Sequence, residues 1–322
     1  MGEKTSRAKV SVALIGVGSS WDLYYRNAIE RLSSKLSVRA VCDSVLLRAA
    51  SVADEFEATA VSCPWQLTQR TDLHAWLILD PGWYHTYPAE LAVNHARPAL
   101  YANTFAAPLN ELAQILKRSL ERGETLLPEF PQRFTPATTR LRELTATRLG
   151  AVRRIDISIP LRADFTSVGC WLTGNQESFI GLLDWCSCLI GSACDRVAVD
   201  SVGRNPQVEL NFRPRAAAVG KPAVVFMSFS DDCEGNIVRR VECERGRAVI
   251  SGPAQIAWQT DDASGDETLG HERSPHEIIL DQFCRRALGG LVPVPSVGDA
   301  LQAIAAAQLT LQSALAQLSN PK

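Results

Sequence analysis

The stretch Lys9–Trp21, KVSVALIGVGSSW, constrains this chain most. Lys9–Ile15 is apolar and rich in Val and Ile, the pattern of a buried strand. Gly16 and Gly18 follow at once, then Ser19, Ser20 and a segment with helical spacing. A buried strand that turns on glycines into a helix opens a dinucleotide-binding βαβ unit. The glycines permit the turn and the close approach of a pyrophosphate, and the helix N-terminus offers free N–H groups. Trp21 stands where G-x-G-x-x-G wants a small residue. Either its ring points away and the amides of Ser19 and Ser20 serve a phosphate, or it lies across the cradle and the protein has no cofactor.

The chain has 322 residues, more than one core usually organises, so two domains are expected, 1–127 and 128–322. A net charge of −2 gives no electrostatic case for nucleic acid or an anionic membrane. No stretch is long and apolar enough to span a bilayer. The polar start leads straight into a strand rather than a secretory signal. With nine scattered cysteines, an odd number, this predicts reduced thiols in a cytoplasmic protein. Cys186, Cys188 and Cys194 cluster without a C-x-x-C pair or a nearby histidine, so they read as packing and no metal site is predicted.

From residue 9 to about 127 strand and helix patterns alternate. Strands are predicted at Ser37–Cys42, Leu73–Leu79, Ala99–Ala102 and Thr125–Leu127, and helices at Val45–Phe56, Thr86–His95 and Asn110–Arg122. Such alternation argues for a parallel sheet covered by helices on both faces. Asp43 ends the second strand, where a carboxylate accepts hydrogen bonds from a ribose 2′-OH. That favours NAD over NADP, although Arg48 is near enough in sequence to meet a 2′-phosphate. Asp43 can equally cap the helix that follows.

After residue 128 the texture changes. Pro136–Thr147 is amphipathic and helical, and short strands are predicted at Val152–Leu161, Arg196–Val202, Val208–Phe212, Ala223–Ser230, Ile237–Cys243 and Ala248–Ser251. With helices at Glu177–Ile190, His276–Leu288 and Gly298–Leu318, this describes an α+β domain with a mostly antiparallel, open sheet. Asp261–Glu272 reads as an exposed loop. One sheet face wants cover, which points to a homo-oligomer.

The order of these pieces resembles the glucose–fructose oxidoreductase / inositol dehydrogenase (Gfo/Idh/MocA) family over nearly the whole chain. VALIGVG at 12–18 and VRAVCD at 38–43 look like its first two strands. LHAWLILDPGWYH at 73–85 resembles its strand and Thr-Pro-Asn-x-x-His turn, with Asp80, Pro81, Gly82 and His85 at those places. PALYANTFAAPLNE at 98–111 resembles the strand bearing Glu-Lys-Pro. PQRFTPATTRLREL at 131–144 is similar to its Arg-Phe-x-Pro helix, and LLDWCSCLIG at 182–191 to the helix that holds a catalytic Asp.

The resemblance implies a Rossmann domain plus a second α/β domain, NAD or NADP, a sugar, cyclitol or related substrate, and a dimer or tetramer. It implies cofactor contacts at Gly16, Gly18, Ser19, Ser20, Asp43, Asp80, Pro81, His85 and Asn103. It also implies a substrate role for Asp184. The family's catalytic Lys falls on Thr104 and its His on Gly181, so two of three proton-handling groups are missing. A positioned acid–base group contributes about 10²–10⁴ in rate. His85, then Tyr84, are the candidates to replace them, and Trp83 is a candidate to stack on a planar ligand. A non-catalytic relative that binds a ligand or serves as a scaffold is the alternative.

Overall fold

The computed structural model describes residues 9–102, 107–160, 168–200, 206–213, 222–230, 237–270, 272–292 and 295–319. By their contacts they divide into two units, Met1–Pro131 with Arg273–Leu301, and Gln132–Glu272 with Gln302–Lys322.

The first unit holds a parallel sheet of β1 (Val10–Ile15), β2 (Leu36–Cys42), β3 (Thr59–Val61), β4 (Ala75–Ile78), β5 (Ala99–Tyr101) and β6 (Leu126–Pro128), in the order β3-β2-β1-β4-β5-β6. β1 runs between β2 and β4, which is why Val10, Val12, Ala13, Leu14 and Ile15 are wholly buried. The strand order reverses between β1 and β4, so a crevice opens at their C-terminal ends. The helices are α1 (Arg26–Arg31), α2 (Leu46–Glu55), α3 (Pro64–Thr68), α4 (Tyr87–Asn94) and α5 (Leu109–Glu121). α5 buries Leu112, Ile115, Leu116 and Ser119, the stripe expected of an amphipathic helix on a sheet. β3 and α3 carry no sequence pattern that predicts them. β3 is a three-residue edge strand with no buried residue, and α3 is one turn started by Pro64.

In the second unit α6 (Pro136–Leu144) is capped by Thr135, whose hydroxyl accepts from the Thr138 N–H at 3.4 Å. Next come β7 (Val152–Pro160), α7 (Val168–Gly174), α8 (Gln176–Ile190) and strands β8 (Cys194–Asp200), β9 (Gln207–Phe212), β10 (Ala223–Ser230), β11 (Val238–Cys243), β12 (Gly246–Gly252), β13 (Gln255–Thr260) and β14 (Ser264–Thr268). The sheet order is β14-β13-β12-β11-β7-β10-β9-β8, antiparallel except for the β7/β10 pair. Ile155, Ile157 and Ile159 of β7 and Val225, Met227 and Phe229 of β10 face the core, alternating with residues on the open face.

The predicted loop Asp261–Glu272 is corrected here, because Ser264–Thr268 pairs along β13. Its residues alternate in exposure without an apolar member, so periodicity gives no signal. The strand is held by side chains instead. Trp258 donates from Nε1 to Glu267 at 2.7 Å, and Arg140 donates from Nε to the same carboxylate at 2.8 Å. Gly265 is needed there, since a Cβ would stand 2.6 Å from the Trp258 indole nitrogen.

α9 (Pro275–Ala287), which follows the second sheet in sequence, has its partners in the first unit. Asp281 pairs with Lys35 at 2.5 Å, Arg286 with Glu124 at 2.6 Å, and His276 stacks on Tyr24 at 4.5 Å between centroids. α10 (Val297–Ser319) is the last helix, and among the described residues no helix is long and apolar enough to cross a membrane.

Candidate functional site

The glycine turn is built against the turn that follows β4. Gly16 has φ +79°, and a Cβ on it would lie 1.6 Å from the carbonyl oxygen of Asp80. At Gly18 a Cβ would lie 2.2 Å from Asp80 Oδ2. Glycine is therefore required at 16 by the Asp80 main chain and the positive φ, while at 18 it leaves room for the Asp80 carboxylate beside the turn. Asp43 ties the same turn to β2. Its Oδ2 accepts from the Val17 N–H at 2.9 Å and its Oδ1 from the Val45 N–H at 2.8 Å, and it is only 5% exposed. The second bond is an Asx turn leading into α2 rather than an N-cap.

Trp21 points away from the turn. Its indole is buried, edge-to-face with Phe56 at 5.8 Å, with the Arg26 guanidinium 5.9 Å from the ring centre. A ring lying over an open cradle would be exposed. The chain accommodates the bulk with a π-helical turn over Trp21–Tyr25 ahead of α1. Ser19 and Ser20 sit in the first turn of this helix, where N–H groups lack an acceptor within the helix.

After β4 come Asp80, Pro81, a 3₁₀ turn over Gly82–Tyr84, and His85. His85 has φ 46° and ψ −122°, a strained conformation for a residue with a side chain, and its imidazole is exposed. The Tyr84 hydroxyl donates to the Ser62 carbonyl at 2.9 Å. Burial, with the neighbouring Cys42, pushes this phenol further above its ordinary value. Tyr84 thus acts as a strut between two turns, which leaves it unsuited to proton transfer near neutrality. Trp83, on the turn after β4, is 85% exposed, and Leu47, in the first turn of α2, is 82% exposed. Asn103, and Thr104 beside it, lie outside the described residues.

In the second unit α8 carries Asp184, only 1% exposed. Arg133, from the 3₁₀ turn Pro131–Phe134, grips it with two bonds, Nε to Oδ2 at 2.7 Å and Nη2 to Oδ1. A buried carboxylate held bidentately anchors α8 to this turn. One turn earlier Gly181 leaves room for Gln132, whose Nε2 is 3.2 Å from where a Cβ would stand. Gln132 Oε1 in turn accepts from Arg239 Nη2 at 3.0 Å. Trp185 donates from Nε1 to Thr138 Oγ1 at 3.0 Å and stacks under Arg239 at 5.2 Å. Cys186 is buried in the same helix, and burial pushes its thiol up, out of reactive range. Gln132 and Arg239 escaped the sequence reading. A signal for Arg239 existed: it shares the inward alternation of β11 with the buried Val241.

No family model matches the sequence, and no curated protein matches it. Solved structures do. UDP-N-acetylglucosamine 3-dehydrogenase GnnA from Acidithiobacillus ferrooxidans gives a TM-score of 0.73 at 18% identity, over 97% of this chain and 99% of that one. An oxidoreductase from Sinorhizobium meliloti gives 0.76 at 15%, over 97% and 99%. The dehydrogenase MviM from Clostridium difficile gives 0.73 at 10%, over 94% and 98%. At these identities the likeness is one of fold. A six-stranded parallel Rossmann-type sheet plus a mostly antiparallel eight-stranded sheet is the architecture of this chain, and its fold is like theirs over nearly its whole length.

Proposed function

We propose that the chain binds a nicotinamide dinucleotide, NAD in preference to NADP, at the C-terminal edge of its first sheet, and that it is an oxidoreductase for a sugar, cyclitol or related small hydroxyl or carbonyl compound. The observation that carries this reading is the glycine turn at the switch point, with Trp21 tucked away and Asp43 fixed behind it. The backbone fits such a ligand: the first-turn amides of Ser19 and Ser20 would hold phosphate, and Asp43 would meet a ribose. Exposed Trp83 and Leu47 offer flat apolar surface beside them. Bound nicotinamide would supply or accept the hydride. His85, whose side chain is exposed on the same turn, would then take or give the substrate proton. Association into a homodimer or homotetramer belongs to the same reading and is read by sedimentation velocity. Calorimetric titration with NADH and NADPH tests the proposal. Binding below millimolar, tighter for NADH, is expected, and no heat at millimolar cofactor overturns it.

A second reading, a ligand-binding relative without turnover, is favoured by the engagement of Asp184 with Arg133 and by Gln132 beside Gly181. Oxidation of NADH by any sugar or ketose in the presence of the protein would remove it.

A further inference from the structure

Arg239 rises from the middle of a sheet, where a charge is costly. Its strand β11 lies between β7 and β12, and Arg239 is in register with Ile157 and Ile250. Its inward neighbour Val241 is wholly buried. Burial lowers the pKa of the guanidinium. Its partners are a neutral amide, Gln132 Oε1 at 3.0 Å, and the face of Trp185 at 5.2 Å. Nε is buried with no hydrogen-bond partner, and among the described residues no carboxylate lies within ion-pair distance of it. The buried Asp184 carboxylate is held by Arg133. Among the described residues the Arg239 guanidinium thus has only neutral partners. Buried charges are ordinarily paired, because an unpaired one loses hydration without compensation.

The corner is also reachable. Arg239, Gln132 and Gly181 are all partly exposed. We propose that Arg239, steadied by Gln132 and Trp185, is the anchor for the oxyanion of a small polyol, a carboxylate or a phosphate. A guanidinium fork suits either group, and the ion would supply the countercharge that Gln132 and Trp185 do not. The site lies wholly in the second unit and does not depend on the dinucleotide reading.

Isothermal titration at low ionic strength with D-glucuronate, D-glucose 6-phosphate and neutral D-glucose tests it, with NADH titrated separately. Either anion should bind and glucose should not, and whichever anion binds tighter identifies the group. Arg239→Met should weaken that anion by about tenfold or more. Gln132→Glu supplies an internal carboxylate to Arg239, so it should raise Tm while abolishing anion binding, a result a merely structural arginine would not give. Equal binding of glucose, no binding of either anion, or unchanged anion affinity in Gln132→Glu overturns the proposal, whether or not Arg239→Met folds. NADH affinity should be the same in all variants.

Discussion

At the residue scale, Asp80 would decide how well the first sheet receives the dinucleotide proposed above. Its main chain forces glycine at position 16, and its carboxylate sits 2.2 Å from a notional Gly18 Cβ. A negative charge beside a phosphate cradle opposes the phosphate, and by Coulomb's law the opposition is several-fold weaker in water than in a partly dry crevice. Asp80→Asn keeps the shape and removes the charge. It should tighten NADH by about tenfold in low salt and by less in high salt, because screening already weakens the repulsion there. Titration at two ionic strengths checks both the sign and the salt dependence. Sequence made the glycines and Asp43 legible because backbone demands restrict residue choice. It could not reveal that Asp80 stands against Gly18, that Arg133 pairs with Asp184, or that Arg239 has no acid partner among the described residues, since each depends on which side chains meet across long separations.

At the element scale, long periodic pieces were legible and short ones were not. β1, α5 and α8 bury a stripe or a run that shows in the sequence, whereas β3, α3 and β14 are held by pairing partners and side-chain bonds. α9 was legible as a helix, but its partners were not. It docks by Lys35 to Asp281, Arg286 to Glu124 and the ring stack of His276 on Tyr24, with Tyr25 edge-on to the same imidazole at 5.4 Å. Burial depresses the His276 pKa from 6.5 to about 4. The unfolded chain therefore binds the extra proton first as pH falls. The stability held by neutral His276 is complete above pH 6.5 and drains away between there and about pH 4, on the order of 2 kcal/mol lost by pH 5. Burial opposes ionisation of Asp281, yet Lys35, Arg285 and Arg273 together hold its pKa below the ordinary carboxylate value of 3.8, so its contribution is lost only at still lower pH. Melting curves from pH 7 to pH 5 should fall for the natural chain. They should stay nearly flat over this window for His276→Phe, which keeps a ring against Tyr24 but cannot take a proton.

At the scale of the whole molecule, two separate cores give the chain two places to come apart. The first unit is closed by its parallel sheet and by the return of α9, and the second by α8 on the eight-stranded sheet. Each of the two ligands proposed above belongs to only one of them. A ligand stabilises what it binds by RT ln(1 + [L]/Kd), about 2.7 kcal/mol at a hundredfold excess over Kd, which for units of this size is a rise of roughly 5–10 °C. Scanning calorimetry should therefore resolve two transitions. NADH should raise one, acidification from pH 7 to pH 5 should lower that same one through His276, and glucuronate or glucose 6-phosphate should raise only the other. Arg239→Met should leave the NADH-sensitive transition in place and make the second one insensitive to the anions. A single transition that moves with all three would mean that the two cores unfold as one, and an NADH-sensitive transition that ignores pH would detach His276 from the unit its contacts assign it to.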